Sequence, residues 1–248
     1  MDCSILSHRH GNVRRTIFRY VLVFFNMDLE KYPNLKKVVY NDFNPLNYNL
    51  FKCVQNPSEL QRVMDEIEVQ QVGVDNASQE LKEKFVSFQS EIFGEGFKVE
   101  YPDYVTAAKY VYVLSQVFSG SKPETSSFID LKGKYRSKYL AFRDKLSKPN
   151  WVEHFTKITH VENLDFQDVI EKYDSPTTYI YMDPPYWKTE NYYSNHDFDR
   201  EDHERLANVL NKVQGNLVYL IMILSCYTNG FLKIVSDGRK RICEGSRG

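Results

Sequence analysis

The residues with the clearest chemical potential are Asp183-Pro184-Pro185-Tyr186, which follow the apolar run Tyr179-Ile180-Tyr181-Met182. A short apolar run, bounded by Ser175-Pro176 and by two prolines, predicts a buried parallel strand. Because proline has no backbone N–H, the hydrogen bonds of this strand must end at the prolines. Asp183 is therefore predicted at the carboxyl end of a strand, where open α/β sheets place their chemistry.

These four residues offer a carboxylate, a proline carbonyl and an aromatic ring. That set suits an exocyclic aromatic amine, which is a poor nucleophile because its lone pair is delocalised into the ring. A carboxylate and a carbonyl that accept its two N–H bonds favour a pyramidal nitrogen, and Tyr186 can stack on the ring. The alternative is a strand followed by a proline-rich turn with no chemical role.

The sequence Asp183-Pro184-Pro185-Tyr186 resembles the D-P-P-Y catalytic motif of amino-methyltransferases that use S-adenosylmethionine. The surrounding chain resembles the D12 class of adenine-N6 DNA methyltransferases. This resemblance implies methyl transfer from S-adenosyl-L-methionine to N6 of a flipped adenine in double-stranded DNA. It also implies an α/β fold, with a Rossmann-like methyltransferase sheet formed by residues 1–56 and 150–248. A mainly helical target-recognition domain, residues 57–149, is expected as an insert.

A second acidic residue, Asp42, follows the predicted strand Val38-Val39-Tyr40. In nucleotide-binding α/β folds, an acid at the end of the second strand accepts hydrogen bonds from ribose hydroxyls. An Asn-Asp pair before Asn-Pro is also typical of a turn and a helix cap. Since Asn41-Asp42-Phe43-Asn44 looks like the family's acidic pair, the resemblance favours the ribose role for Asp42 and adds Phe43 as a cofactor contact.

A third acidic residue lies in Asn163-Leu164-Asp165-Phe166, after a strand predicted over residues 158–161. This segment resembles the family's N-x-D-F motif, which contacts the adenine of the cofactor. A carboxylate can accept a hydrogen bond from the adenine amine, and an aromatic ring can pack on its face. Asp165 is also suited to cap a helix predicted over residues 167–173.

The segment 132–148 is strongly basic, with seven cations against one aspartate, or +6. Aromatic residues, which can stack on bases, are interleaved with these cations, which can bind phosphates, and this composition is typical of nucleic-acid surfaces. The alternative is a solvated loop or helix face. In the family, the target-recognition insert lies between the ribose-binding acid and D-P-P-Y, as this segment does. The predicted DNA contacts are Lys132, Lys134, Arg136 and Lys138, and the interleaved aromatics are Tyr135, Tyr139 and Phe142.

Apolar spacing predicts helices over residues 59–71, 78–93 and 104–118, the last one buried. Asp199 is predicted to cap a helix whose apolar stripe packs on the sheet, formed by Leu206, Val209, Leu210 and Val213. Residues 217–225 predict a further strand. Residues 1–16 are polar and basic and predict a solvated tail.

Composition limits the class of protein. A formal charge of −1 over 248 residues gives no overall field for nucleic acid, so DNA affinity must come from local patches. The four cysteines are scattered, which argues against a zinc site or a disulfide framework and fits a cytoplasmic location. No signal peptide and no membrane span are expected. No metal is expected, because a sulfonium is already a strong electrophile.

The sequence departs from the family at its first cofactor motif. The family's F-x-G-x-G loop is expected before Phe24, yet no glycine occurs between Gly11 and Gly73. The chain is therefore expected to be truncated at both ends and to bind its cofactor weakly. Two alternatives follow: a catalytically silent DNA-binding remnant, or an amino-methyltransferase for cytosine N4, RNA or protein. Asp at position 183 and the basic insert favour adenine, and the resemblance adds a restriction endonuclease as an accompanying partner.

Overall fold

The computed structural model describes residues 3–8, 24–25, 27–69, 77–117, 122–129, 134–183 and 198–219. These residues fall into two compact units. We call the first, drawn from 1–11, 27–44 and 159–248, the sheet unit. We call the second, drawn from 12–26 and 45–158, the helical unit. The domain boundaries expected from the sequence stay a prediction.

The sheet contains the strands β1 (Cys3–His8), β2 (Lys37–Asp42), β3 (Ile158–Glu162), β4 (Thr178–Asp183) and β5 (Asn216–Tyr219). Their order is β3-β2-β1-β4-β5, and the pairs β1–β2, β1–β4 and β4–β5 are parallel. In such a sheet the chain order reverses beside β1, so the carboxyl ends of β1 and β4 flank the switch point at which α/β folds bind ligands. The α/β class predicted from the sequence is confirmed.

The helices of the described segments are α1 (Pro45–Cys53), α2 (Pro57–Val69), α3 (Ala77–Ile92), α4 (Tyr104–Ser115), α5 (Lys134–Lys145), α6 (Pro149–Lys157), α7 (Phe166–Tyr173) and α8 (Arg200–Leu210). The helices predicted over 59–71, 78–93, 104–118 and 167–173 are confirmed within a few residues at each end. Residues Leu29–Lys31, before β2, form a 3-10 turn.

The prediction of a polar tail at residues 1–16 is wrong, because Cys3–His8 forms the central strand β1. Ile5 pairs with Val39 on one side and with Ile180 on the other. The apolar part of this strand is short and is followed by basic residues, so its composition resembles a tail. A central strand is held by backbone hydrogen bonds to two neighbours, and this pairing leaves little trace in composition.

The core of the sheet unit lies between the sheet and the helices α7 and α8. Ile180 and Met182 of β4 pack with Val169 and Ile170 of α7. The predicted stripe of α8 is confirmed, since Leu206, Leu210 and Val213 are buried in this cluster and Val209 packs against it. The turn into β5 is tight, because a side chain on Gly215 would meet the carbonyl oxygen of Thr178 at 2.5 Å.

Helix α4 is the centre of the helical unit, and it contacts α1, α2, α3 and α5. Tyr110 and Tyr112 are buried, and the hydroxyl of Tyr110 donates to the side-chain oxygen of Asn47 at 3.0 Å. Asp103 caps this helix by accepting from the backbone N–H of Thr106 at 2.9 Å. The predicted burial of this helix is confirmed, and its role is structural.

Tyr139 fastens α5 to α2, because its hydroxyl donates to the carbonyl oxygen of Met64 at 2.9 Å and its side chain is fully buried. We expect Tyr139→Ala to lower the free energy of unfolding by about 3–5 kcal/mol, as for other large aromatic residues removed from a core. Lys138→Ala, at an exposed position of the same helix, should change it by less than about 0.5 kcal/mol. Denaturant unfolding measures both, and equal losses would contradict this role of Tyr139.

Candidate active site

Two of the predicted acidic residues lie at the same edge of the sheet. In the strand register, His8 at the end of β1 is paired with Asp42 of β2 on one side and with Asp183 of β4 on the other. Because neighbouring strands lie about 4.8 Å apart, the backbones of Asp42 and Asp183 are roughly 10 Å apart. The switch point of the sheet thus brings together residues that are far apart in the sequence.

Asp42 is fully buried, and its carboxylate is held on both oxygens. The hydroxyl of Tyr40 donates to Oδ2 at 2.8 Å, and the backbone N–H of Asn44 donates to Oδ1 at 2.9 Å. The second bond is the local turn that the Asn-Asp-Phe-Asn sequence favours. These contacts fix the direction of the carboxylate at the end of β2.

The loop after β3 is tied to the end of β2 by three hydrogen bonds. The side chain of Asn41 donates to the carbonyl oxygen of Leu164 at 3.0 Å and accepts from its N–H at 3.0 Å. The side chain of Asn163 donates to the carbonyl oxygen of Asp42 at 2.7 Å. Two segments that the sequence singled out separately therefore form one connected structure.

Asp165 caps α7, because Oδ1 accepts from the backbone N–H of Gln167 at 2.9 Å. The capping role predicted as an alternative is therefore present. The same carboxylate also accepts two hydrogen bonds from Arg205 of α8, at 2.7 and 3.1 Å. The hydrogen bond with Asp165, together with a bond to Asp202 at 2.6 Å, raises the pKa of Arg205 above its ordinary value. Asp165 thus combines a helix cap with a bidentate ion pair.

Arg205 is a residue of this site that sequence reasoning missed. Its guanidinium lies over the ring of Phe166, with its central carbon 4.2 Å from the ring centroid. Phe166 is buried and also meets the ring of Phe198, at a centroid distance of 5.9 Å. The only local signal was the Asp202–Arg205 spacing along one helix, which does not reveal the partner at position 165. Phe43, the remaining predicted cofactor contact, is half-buried.

The predicted end of β4 at Asp183 is confirmed by the backbone. The side chain of Asp183 lies outside the described residues, and so do Pro184, Pro185 and Tyr186. The catalytic assignment of these four residues stays a prediction. His203 is half-buried, with its ring 4.6 Å from that of Phe198.

The basic segment forms α5, but its aromatic residues do not serve as the sequence suggested. Tyr139 and Phe142 are buried, so the prediction that they stack on bases is wrong. These two residues lie on the side of the helix that faces the core. A count of charges does not show which residues of a helix face inward. Of the predicted DNA contacts, Lys138 is exposed, Lys132 lies outside the described residues, and the side chains of Lys134 and Arg136 do so too.

Other cations of this segment support the fold of the helical unit. Arg143 donates to Asp65 at 3.0 Å and to Asp144 at 2.9 Å. The ammonium of Lys145 lies 4.3 Å from the ring centroid of Trp151, and burial lowers the pKa of this lysine. The usable charge of the segment is therefore smaller than its composition suggests.

A glycine loop directly before Phe24 would require the first strand to end shortly before that residue, and β1 ends much earlier in the chain. Because β1 ends at His8, the segment that follows the first strand starts at residue 9 and includes Gly11. This segment is outside the described residues, so the expectation of weak cofactor binding stays a prediction.

Neither a membrane span nor a metal centre occurs within the segments that the structure describes. No helix there combines the length and apolar character needed to cross a bilayer. No three His, Cys, Asp or Glu side chains of these same segments are arranged to hold a metal ion.

A parallel sheet with acidic residues at the carboxyl ends of strands beside its switch point is the arrangement of α/β proteins that bind nucleotide-containing ligands. Within that class, the sequence identifies one particular family. The model of the D12 class N6 adenine-specific DNA methyltransferases matches residues 22–245, and the chain belongs to this family. Membership implies adenine methylation of DNA. A comparison with curated proteins gave no match.

Proposed function

We propose that this protein transfers a methyl group from S-adenosylmethionine to N6 of a flipped adenine in double-stranded DNA. The observation that carries the proposal is the connected structure at the sheet edge. Three hydrogen bonds join Asn41-Asp42 to Asn163-Leu164, and only β1 separates this structure from the strand that ends at Asp183. These are the segments that resemble the family's cofactor and catalytic motifs.

The donor and acceptor chemistry of this edge fits the cofactor. Ribose hydroxyls and the adenine amine are hydrogen-bond donors, whereas Asp42 and Asp165 supply carboxylate acceptors. Asp42 would hold the ribose and Asp165 the adenine amine, with Phe43 beside them. When bound, S-adenosylmethionine supplies an electrophilic methyl group on a sulfonium.

The chain's own task is to make the target amine nucleophilic. The carboxylate of Asp183 and the carbonyl of Pro184 would accept the two N–H bonds of the adenine amine, which concentrates its lone pair on nitrogen. Pro185 restricts the backbone at this point, and Tyr186 would stack on the extruded base. Fixed acceptors in a site that excludes water need no reorganisation during the reaction, which is why they accelerate it.

The basic residues of α5 are proposed to contact the DNA backbone. We expect the triple variant Lys134→Glu, Arg136→Glu and Lys138→Glu to bind double-stranded DNA more weakly. The slope of log K against log salt should flatten by roughly 0.9 for each phosphate that the variant no longer neutralises. Fluorescence anisotropy with labelled duplex, repeated at several salt concentrations, measures this slope.

Arg62→Glu on α2 is the control for the change in charge, because Arg62 is an exposed arginine that pairs with Glu59 and Glu66. Its slope should stay near that of the parent protein. An unchanged slope in the triple variant, or an equal effect per charge at Arg62, would move the DNA contact away from α5.

The acceptor class separates the proposal from methylation of other substrates. The protein is incubated with methyl-labelled S-adenosylmethionine and, in separate reactions, with duplex DNA, RNA or an unrelated protein. Label is expected in duplex DNA. Label confined to RNA or protein would contradict the proposal.

A further inference from the structure

The start of α7 carries a planar cation in a place where the sequence suggests an aromatic surface. Arg205 reaches from α8 to Asp165 at 2.7 and 3.1 Å, and its guanidinium lies 4.2 Å from the ring centroid of Phe166. One arginine therefore contacts both residues of the Asp165-Phe166 pair. This arrangement bears directly on the expected geometry, in which the phenylalanine ring packs on a ligand.

The ring of Phe166 is poorly placed to receive a ligand. Phe166 is only 3% exposed, and one face of its ring lies beneath the guanidinium of Arg205. A second aromatic ring, Phe198, meets it in an edge-on arrangement at 63°. An adenine could not lie on Phe166 unless Arg205 moved away and broke its paired bonds with Asp165.

The side chain of Arg205, by contrast, is partly exposed. It is 39% exposed, while the side chain of Asp165 beside it is 21% exposed. Its position is fixed by three hydrogen bonds, two to Asp165 and one to Asp202. A planar guanidinium is weakly hydrated and stacks well on aromatic rings and bases.

We propose that Arg205, and not Phe166, forms the surface on which the adenine ring of the cofactor packs. The adenine lies against the outer face of the guanidinium, whose inner face rests on Phe166. Asp165 is held next to it with its carboxylate directed by the same arginine. This inference rests on the proposed function, because it assigns a contact within that cofactor site.

The competing role for Arg205 is purely to position Asp165. The two roles differ in what they do to ligands that lack the adenine amine. Stacking acts on any purine ring, whereas a carboxylate acceptor acts only on a purine that carries the amine. A pair of nucleosides, adenosine and the purine riboside without an exocyclic amine, separates them.

The test measures dissociation constants by calorimetry for S-adenosylmethionine, adenosine and the amine-free nucleoside. Arg205→Lys keeps the charge but loses the planar group, and Arg205→Met serves as a second variant. Stacking of a base is worth about 1–3 kcal/mol, so affinity for all three ligands should fall by roughly 5- to 150-fold. Phe166→Leu should change affinity by less than about threefold, since its ring does not touch the ligand.

Lys172→Gln is the matched control. Lys172 is also a cation of the sheet unit that pairs with an acid, Glu162 at 3.0 Å, and lies over an aromatic ring, that of Tyr173 at 5.3 Å. It lies at the far end of α7 from Asp165, about 10 Å along the helix axis. Its affinities should equal those of the parent protein, and thermal unfolding shows that each variant is folded.

Each outcome decides the inference. Loss of affinity for the amine-free nucleoside as well as for adenosine, in both Arg205 variants, supports it. Loss of affinity confined to adenosine means that Arg205 only positions Asp165. A large loss of affinity in Phe166→Leu, without a loss in the Arg205 variants, means that the adenine packs on the phenylalanine. Either result overturns the inference while the proposed function stands. A parent protein that binds neither S-adenosylmethionine nor adenosine overturns both.

Discussion

The rate of methyl transfer by Asp183→Ala should fall by roughly a hundredfold or more, while the protein remains folded. Removing one fixed charged acceptor from a site that excludes water costs on the order of 3 kcal/mol of transition-state stabilisation. The backbone of Asp183 ends β4, and an alanine keeps the paired hydrogen bonds of that strand. Single-turnover transfer of labelled methyl groups to duplex DNA measures the chemical step directly.

Asp28→Ala is the control for loss of an acid from the sheet unit. Asp28 is an exposed residue that precedes β2 in the chain and pairs with Lys31 at 3.1 Å. It should transfer methyl groups at the parent rate. Full activity in Asp183→Ala would show that the assignment of Asp183-Pro184-Pro185-Tyr186 as the catalytic segment is wrong.

The second large effect is expected at Asp42. Asp42→Ala should weaken binding of S-adenosylmethionine by about 10- to 150-fold, because hydrogen bonds to a charged acceptor are worth about 1.5–3 kcal/mol. It should also destabilise the fold by about 1–3 kcal/mol, since the N–H of Asn44 loses its buried acceptor. Calorimetry and denaturant unfolding measure the two effects separately.

Tyr40→Phe separates binding from stability at this position. It removes the hydroxyl that donates to Oδ2 of Asp42 but leaves the carboxylate in place. We expect a loss of about 1 kcal/mol in the free energy of unfolding and an affinity within about threefold of the parent. If Asp42→Ala binds the cofactor as the parent does, Asp42 is a structural turn residue and its ribose role is wrong.

The ends of the strands could be predicted because they are marked by a change in residue type. Val38-Val39-Tyr40 passes into Asn41-Asp42, and Tyr179 to Met182 passes into an acid followed by two prolines. Local signals of this kind also fixed α8, where Asp199 accepts from the N–H of Asp202 at 3.0 Å. The strand ends and the helix cap both depend on residues that are neighbours in the chain, so both can be predicted from the sequence.

The remaining features depend on partners that are distant in the chain. β1 is defined by its pairing with β2 and β4, not by its own six residues. Arg205 of α8 donates a hydrogen bond to Asp165 at the start of α7, forty residues earlier in the chain. Composition does not tell which side of a helix faces the core, so the aromatic residues of α5 look like contacts for bases. In the structure Tyr139 instead donates a hydrogen bond to Met64 of α2.

The most direct test of the account is the identity of the methylated base. Duplex DNA of mixed sequence is incubated with the protein and S-adenosylmethionine, digested to nucleosides and analysed by mass spectrometry, with Asp183→Ala in parallel. N6-methyl-2′-deoxyadenosine is expected with the parent protein, and its yield should fall by roughly a hundredfold or more with the variant. Methylation at cytosine N4, or no methylated nucleoside at cofactor concentrations that saturate binding, would contradict it.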